Sequence, residues 1–285
     1  MEELGRIFMA ESADRIAVST WSLHRLLGTT YPHDLTTTAI GAGEDTYGEG
    51  TESLLGLPSV LANHGYHRLE VVSFHMRSRD SIYLAELKDQ LARAEVRLQT
   101  LLIDAGDITH PEYGSRDEAW IAGWIEVANE LGAENARIIA GKQKPTKVNI
   151  DRSVAALKRL AAANAGSSVR LVTENWFDLL STPATVHEVL DRLEGKVGLL
   201  GDFGNWAGDT KYEDLAAIFP RAELCHAKAS FVAGQLDEAD YGACVGAAEE
   251  AGYKGPYTLI FDAEQPHEWA GLALERDFIL SLIEA

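Results

Sequence analysis

VRLVTENWFDLLSTPATVHEVLDRLEGKVGLLGDF, residues 169–203, holds one complete strand–helix–strand unit. It opens with an apolar, β-rich run (169–175). A segment with helical spacing follows (183–193), with Pro183 in its first turn and Gly195 just past its end, and a second apolar run closes the stretch (197–203). Two strands joined this closely through a helix predict a right-handed βαβ crossover and therefore a parallel sheet.

The same rhythm continues in both directions. Before this unit lie IAVSTW (16–21), RLEVVSFH (68–75), RLQTLLIDA (97–105) and ARIIAG (136–141); after it come ELCHAKASF (223–231) and YTLIFDAE (257–264). Helical spacing recurs over 80–95, 116–131, 151–164, 238–250 and 268–283, with Asp151 as an N-cap and Gly132 and Gly252 just past helix ends. Eight such units in about 250 residues predict an α/β fold, a single (β/α)8 TIM barrel over 1–285 with no dividing linker. A doubly wound open sheet is the rival, but no GxGxxG follows the first strand and no GxxxxGK[ST] occurs. LLGTTYPHDLTTTAIGAGEDTYGEGTE (26–52) breaks the rhythm, and a loop of that length after the first strand reads as a lid over the barrel mouth.

The 285 residues are 46% hydrophobic and 24% charged, an ordinary globular composition. A net charge of −19 repels phosphate backbones, so nucleic acid is not an expected partner. No run approaches the ~18–20 apolar residues of a membrane helix. Cys225 and Cys244 form no CxxC pair, and the N-terminus lacks the basic and apolar regions of a signal peptide. The expectation is a soluble, cytoplasmic protein.

In a barrel of this type the site lies at the C-terminal strand ends. The polar residues there are Trp21 and His24 after the first strand, His75 after the second, Asp104 and Asp107 after the third, and Lys142 and Lys144 after the fourth. Glu174, Asp202, His226 with Lys228, and Asp262 with Glu264 follow on the later strands. Buried carboxylates need compensation. Glu174, Asp202 and His226, near the ends of three consecutive strands, suit a divalent cation such as Mn²⁺, Mg²⁺, Co²⁺ or Zn²⁺; a structural ion-pair network, with Glu174 on Lys142 or Lys228, is the alternative. Trp21, Trp176 and Trp206 could wall a sugar ring, whereas Trp120 and Trp124 have helical spacing and belong to packing. His64 and His67 read as surface residues, and Cys225 alternates away from His226.

The series ENW, GDFGNW and HAKASF, with the REV-like strand RLEVVSFH, resembles the sugar phosphate isomerase/epimerase family with a xylose-isomerase-like barrel. The resemblance implies that Glu174, Asp202 and His226 are ligands of a catalytic divalent metal, Mn²⁺ first among the candidates, and that Lys228 lies beside the substrate. It further implies an isomerase, epimerase or related lyase acting on a small sugar, keto-sugar or polyol through an enediolate-type intermediate. Glu174 would be the base, Asp262 or Glu264 its opposite-face partner, and Lys228, Lys142 and His75 would hold substrate oxygens. Relatives of this type often associate, so a homo-oligomer is possible. This chain departs from the pattern on the last strand, where Ile260 stands in place of the family's metal-binding glutamate. Asp262 and Glu264 share its facing, but Asp262 lies ~6–7 Å further along the strand. The alternatives are a non-catalytic sugar-binding barrel lacking the fourth ligand and a metal-dependent phosphodiesterase related to abasic-site endonucleases. A kinase reading of the DFG lacks the glycine-rich, VAIK and HRD elements.

Overall fold

The computed structural model describes residues 14–284; the expectation about an N-terminal leader falls outside that range. Eight parallel strands close into a barrel: β1 (Ile16–Ser19), β2 (Arg68–Val72), β3 (Arg97–Ile103), β4 (Asn135–Ile138), β5 (Arg170–Glu174), β6 (Gly198–Asp202), β7 (Ala222–Lys228) and β8 (Tyr257–Ile260). Each strand pairs with its sequence neighbours, and β8 returns to β1 with Ile16 opposite Tyr257. The helices around it are α1 (Leu57–Asn63), α2 (Ser81–Arg93), α3 (Gly114–Leu131), α4 (Lys147–Ala163), α5 (Pro183–Leu193), α6 (Lys211–Ile218), α7 (Glu238–Glu250) and α8 (Glu268–Ile283). The expected single TIM barrel is the observed fold.

Strand alternation divides the apolar residues into two layers. Val72, Leu102, Val172, Leu200 and Leu224 form a small cluster inside the barrel, while the far larger core lies between strands and helices and contains Leu199, Phe203, Cys225 and Ala227. The inner positions two residues further on are Asp104, Glu174, Asp202 and His226. One apolar layer thus floors the site, and Cys225 faces away from it.

Helix boundaries follow capping chemistry. Thr182 accepts from the Thr185 N–H in a capping box, with Pro183 opening α5. Asp151, expected from the sequence as an N-cap, is not one. Thr146 caps α4 by accepting from the Asn149 N–H, and Asp151 sits inside the helix, pairing with Lys147 and Arg192. Helices α1 and α6 and a hairpin of Phe231–Val232 with Gln235–Leu236 carry too few residues for a periodic pattern to show.

The long β1–α1 segment is tied down. Tyr31 N–H donates to Phe74 O (2.7 Å), Thr30 pairs with Glu44, and the His33 ring meets Ser73 Oγ (2.8 Å) and packs against Trp120 and Trp124. A Cβ at Gly28 would lie 2.3 Å from Gly50 N, so the two ends of the loop touch backbone to backbone.

The inward stripe of α8, Glu268, Gly271, Leu272, Glu275 and Ile279, includes two carboxylates, of which Glu268 pairs with Arg25. Both Glu275 oxygens are buried without a hydrogen-bond partner among the described residues, and burial pushes the carboxyl well above its ordinary 4.5. The folded chain keeps Glu275 protonated while the unfolded chain ionises, so its contribution to stability declines as pH rises above 4.5. Glu275→Leu is expected to stabilise the protein by about 1–3 kcal/mol, with a larger gain at pH 8 than at pH 5 in urea unfolding.

Candidate metal centre

Glu174, Asp202 and His226 converge at the C-terminal mouth, each offering one ligand atom, with these atoms within 4.8 Å of one another. His226 Nδ1 lies 3.6 Å from Glu174 Oε1 and 3.5 Å from Asp202 Oδ2. On its other side Nε2 meets Glu70 Oε2 at 2.8 Å. Burial opposes charge on this imidazole, but the Glu70 and Glu174 carboxylates outweigh it and push its pKa well above 6.5.

The GDFGNW motif builds much of this geometry. Asp202 Oδ1 accepts the backbone N–H groups of Gly204 (2.6 Å) and Asn205 (2.8 Å), which fixes the carboxylate and leaves Oδ2 toward the triad. The Asn205 side chain donates to Glu174 Oε1 (2.7 Å). Asn175, of the EN pair, accepts from Asp202 N–H and donates to Asp202 O, locking β5 to β6. A Cβ at Gly204 would meet the Lys228 stem at 2.6 Å, so this glycine leaves room for Lys228.

Two charged residues at the site went unrecognised in the sequence. Glu70 is fully buried on β2; its Oε1 accepts from Gln99 Nε2 (2.9 Å) and Thr100 Oγ1 (2.8 Å). A bulge makes this possible, because pairing jumps from Leu69–Leu98 to Glu70–Thr100 and turns two consecutive β3 residues to one acceptor. Arg137, buried on β4, pairs with Asp104 and places Nε 3.0 Å from Glu174 Oε2, in a charge contact without hydrogen-bond alignment. Burial disfavours ionisation of Glu174, yet Arg137 and His226 together hold its carboxyl down to about 2.

A cavity of about 110 Å³ opens above the triad, lined by Trp21, Asp104, Arg137, Trp176, Lys228 and Ile260 among others. Trp21 and Trp176 therefore stand where a ring-stacking wall was expected. Trp206 does not: it is buried, and its indole N–H donates to Leu180 O (3.2 Å), a packing role. His24 is buried against Tyr47, and Lys142 lies over the Phe177 ring; neither lines the cavity. His75 is tied to Thr20 Oγ1 (2.9 Å) and instead lines a second cavity of about 180 Å³ under the 26–52 loop, whose residues do not reach the triad cavity. Burial holds the His75 imidazole down to about 3. Asp107 accepts from Lys142 N–H, Gln143 and Thr109 and staples the β3 and β4 loops. Ile260 lines the cavity at the end of β8; Asp262, beyond it, pairs with Lys228 (3.3 Å), and Glu264 is exposed.

The donor set fits a divalent ion. A His226 that donates Nε2–H to Glu70 keeps its Nδ1 lone pair for a metal, the usual carboxylate–histidine–metal relay, and two carboxylate oxygens face the same point.

The profile of the xylose isomerase-like TIM barrel family matches residues 58–279, and the chain belongs to that family. A comparison with curated protein sequences finds no significant match. Among solved structures, D-allulose 3-epimerase from Methylomonas sp. in complex with D-allulose superposes with a TM-score of 0.63 at 17% identity, covering 94% of this chain and 96% of that one. A D-tagatose 3-epimerase-like protein gives a TM-score of 0.67 at 14% identity over 94% and 98%. A xylose isomerase-like TIM barrel protein from Mycobacterium smegmatis in complex with magnesium gives 0.62 at 16% over 80% and 87%.

Glu70→Gln, which weakens the acceptor behind His226, is expected to lower Mn²⁺ affinity about 10–100-fold without unfolding the protein, as read by calorimetric titration and circular dichroism.

Proposed function

We propose that this protein is a divalent-metal-dependent enzyme of the sugar isomerase/epimerase type, acting on a small keto-sugar or polyol. The observation that carries this reading is the buried Glu174, Asp202 and His226 triad beneath a cavity walled by Trp21 and Trp176. Structural neighbours named as sugar epimerases, one holding D-allulose and another family member holding magnesium, support the substrate class and the ion. Manganese is the ion we favour, because a mixed carboxylate and imidazole set suits it.

Glu174, Asp202 and His226 would hold the ion, which supplies Lewis-acid polarisation of a carbonyl and its neighbouring hydroxyl when bound. Asn205 and the Gly204 and Asn205 N–H groups fix the two carboxylates, so no reorganisation is needed as charge develops on the substrate. Trp21 and Trp176 offer apolar faces to a sugar ring and narrow the space left to water. Three carboxylates line the cavity; Asp202 has one oxygen taken by two backbone N–H groups, and Glu174 or Asp104 would take an α-proton in an enediolate-type reaction, with Lys228 binding a substrate oxygen. Ile260 gives a second reading its support: a sugar-binding barrel without catalysis, lacking the fourth carboxylate.

The test combines metal analysis with turnover. Protein stripped with EDTA and reloaded with Mn²⁺ is expected to interconvert ketohexoses such as D-allulose and D-tagatose with their epimers or aldoses, followed by NMR. Asp202→Ala should lose Mn²⁺ binding and turnover together. Sugar binding with neither metal uptake nor turnover would favour the non-catalytic barrel.

A further inference from the structure

Three carboxylates line the cavity, Asp104 from the end of β3, Glu174 from β5 and Asp202 from β6, and their surroundings differ. Asp202 Oδ1 holds two backbone N–H groups, and Glu174 has Asn205 on one oxygen and Arg137 against the other. Asp104 gives only Oδ1 to Arg137, and no hydrogen bond from the described residues engages its Oδ2. It is also the most open of the three, with 15% of its side chain exposed against 4% for Glu174 and 6% for Asp202. Burial raises its carboxyl above the ordinary 3.8, Arg137 opposes the rise, and Glu174 adds to it. Asp104 is thus an available carboxylate that is not a member of the triad.

The opposite wall is different in kind. In the closed strand order β3 lies across from β7, and the β7–β8–β1 side presents Lys228, Ile260, Ser19 and Trp21 to the cavity. Ile260 has no proton to move. Ser19 Oγ accepts the Trp21 N–H (3.2 Å), and the Lys228 ammonium is drawn to Asp262 at the rim, both side chains being about one-third exposed. Among the described residues, no carboxylate lines the cavity from that wall.

We infer that Asp104 is the proton-transfer residue of the sugar reaction and that it serves one face of the substrate only, which makes the reaction a ketose–aldose isomerisation and not an epimerisation. The inference rests on the sugar-enolising reading above. Inverting a carbon by way of an enediolate needs a proton removed on one face and delivered on the other. A single carboxylate can instead return it to the adjacent carbon on the same face. In that step the C1–H bond of an α-hydroxy ketone breaks, its proton passes to Asp104 Oδ2, and its electron pair becomes the C1–C2 π bond as the carbonyl electrons move to O2. Asp104 then delivers the proton to C2 as the new C2–H bond forms from that π pair. The O1 hydroxyl proton passes to O2, leaving the O1 electrons as the aldehyde C=O. No oxidant or reductant is required.

Dihydroxyacetone in D2O with the Mn²⁺-loaded enzyme tests this. Each hydroxymethyl carbon of the probe carries two hydrogens, one on each face. One-face transfer is expected to stop at one deuterium per carbon, a total of two by mass spectrometry. Asp104→Asn should slow exchange by about 100-fold or more with Mn²⁺ still bound, and formate should restore exchange to Asp104→Ala. Ile260→Glu is expected to open the second face and carry labelling to four deuteriums. Four deuteriums with the wild-type enzyme would overturn the one-face inference, and wild-type exchange rates in Asp104→Asn would overturn the role of Asp104. No exchange by wild-type enzyme that demonstrably binds Mn²⁺ would overturn the sugar-enolising reading itself, and this inference with it.

Discussion

A glutamate with no solvent exposure in a barrel interior must be compensated, and Glu70 is, by three donors: His226 Nε2, Gln99 Nε2 and Thr100 Oγ1. The rest of the site is arranged around that cluster. The hydrogen bond to His226 fixes the plane of the imidazole and directs Nδ1 at Glu174 and Asp202. A single strand register would bring one β3 side chain to Glu70; the bulge at Gln99 brings two. An irregularity in the sheet, two strands away from the nearest carboxylate of the triad, therefore sets the orientation of a candidate metal ligand.

The site is also a balance of charge. Asp104, Glu174, Asp202 and Glu70 crowd one end of the barrel, and the cations buried among them are Arg137 and, when protonated, His226. Carboxylates packed this closely cannot all remain ionised in a poorly solvated space without such partners. A protonated His226 and a divalent ion held by the triad would each supply positive charge to these carboxylates, two ways of meeting one electrostatic requirement. Trp176 lies beneath the Arg137 guanidinium at 5.2 Å, so one aromatic ring serves both the cation and the cavity wall.

The barrel was legible because its strands are short, apolar and evenly spaced, and Glu174, Asp202 and His226 were legible because each interrupts the end of such a run. Glu70 and Arg137 were not. Glu70 sits in RLEVV, where one glutamate between apolar neighbours looks like a solvent-facing alternation. Only the closed barrel shows that this register points inward. Arg137 in ARIIAG looks like a long side chain reaching out from a strand, yet it is buried between two carboxylates contributed by β5 and by the end of β3. Trp206 misled for the converse reason: it follows a site motif in sequence, but Gly204 and Asn205 turn the chain so that its ring enters the core. Pairings between distant strands decide these cases, and local pattern does not carry them.

Arg137 holds Asp104 and Glu174 at once, which ties two carboxylates from different strands to one counter-charge. They are thermodynamically a single unit. Neutralising either one leaves more of the guanidinium field to the other, so the effects of changing them singly will not sum to the effect of changing both. The barrel mouth is in this sense a three-body device, and variation tolerated at one of its members depends on what occupies the other two.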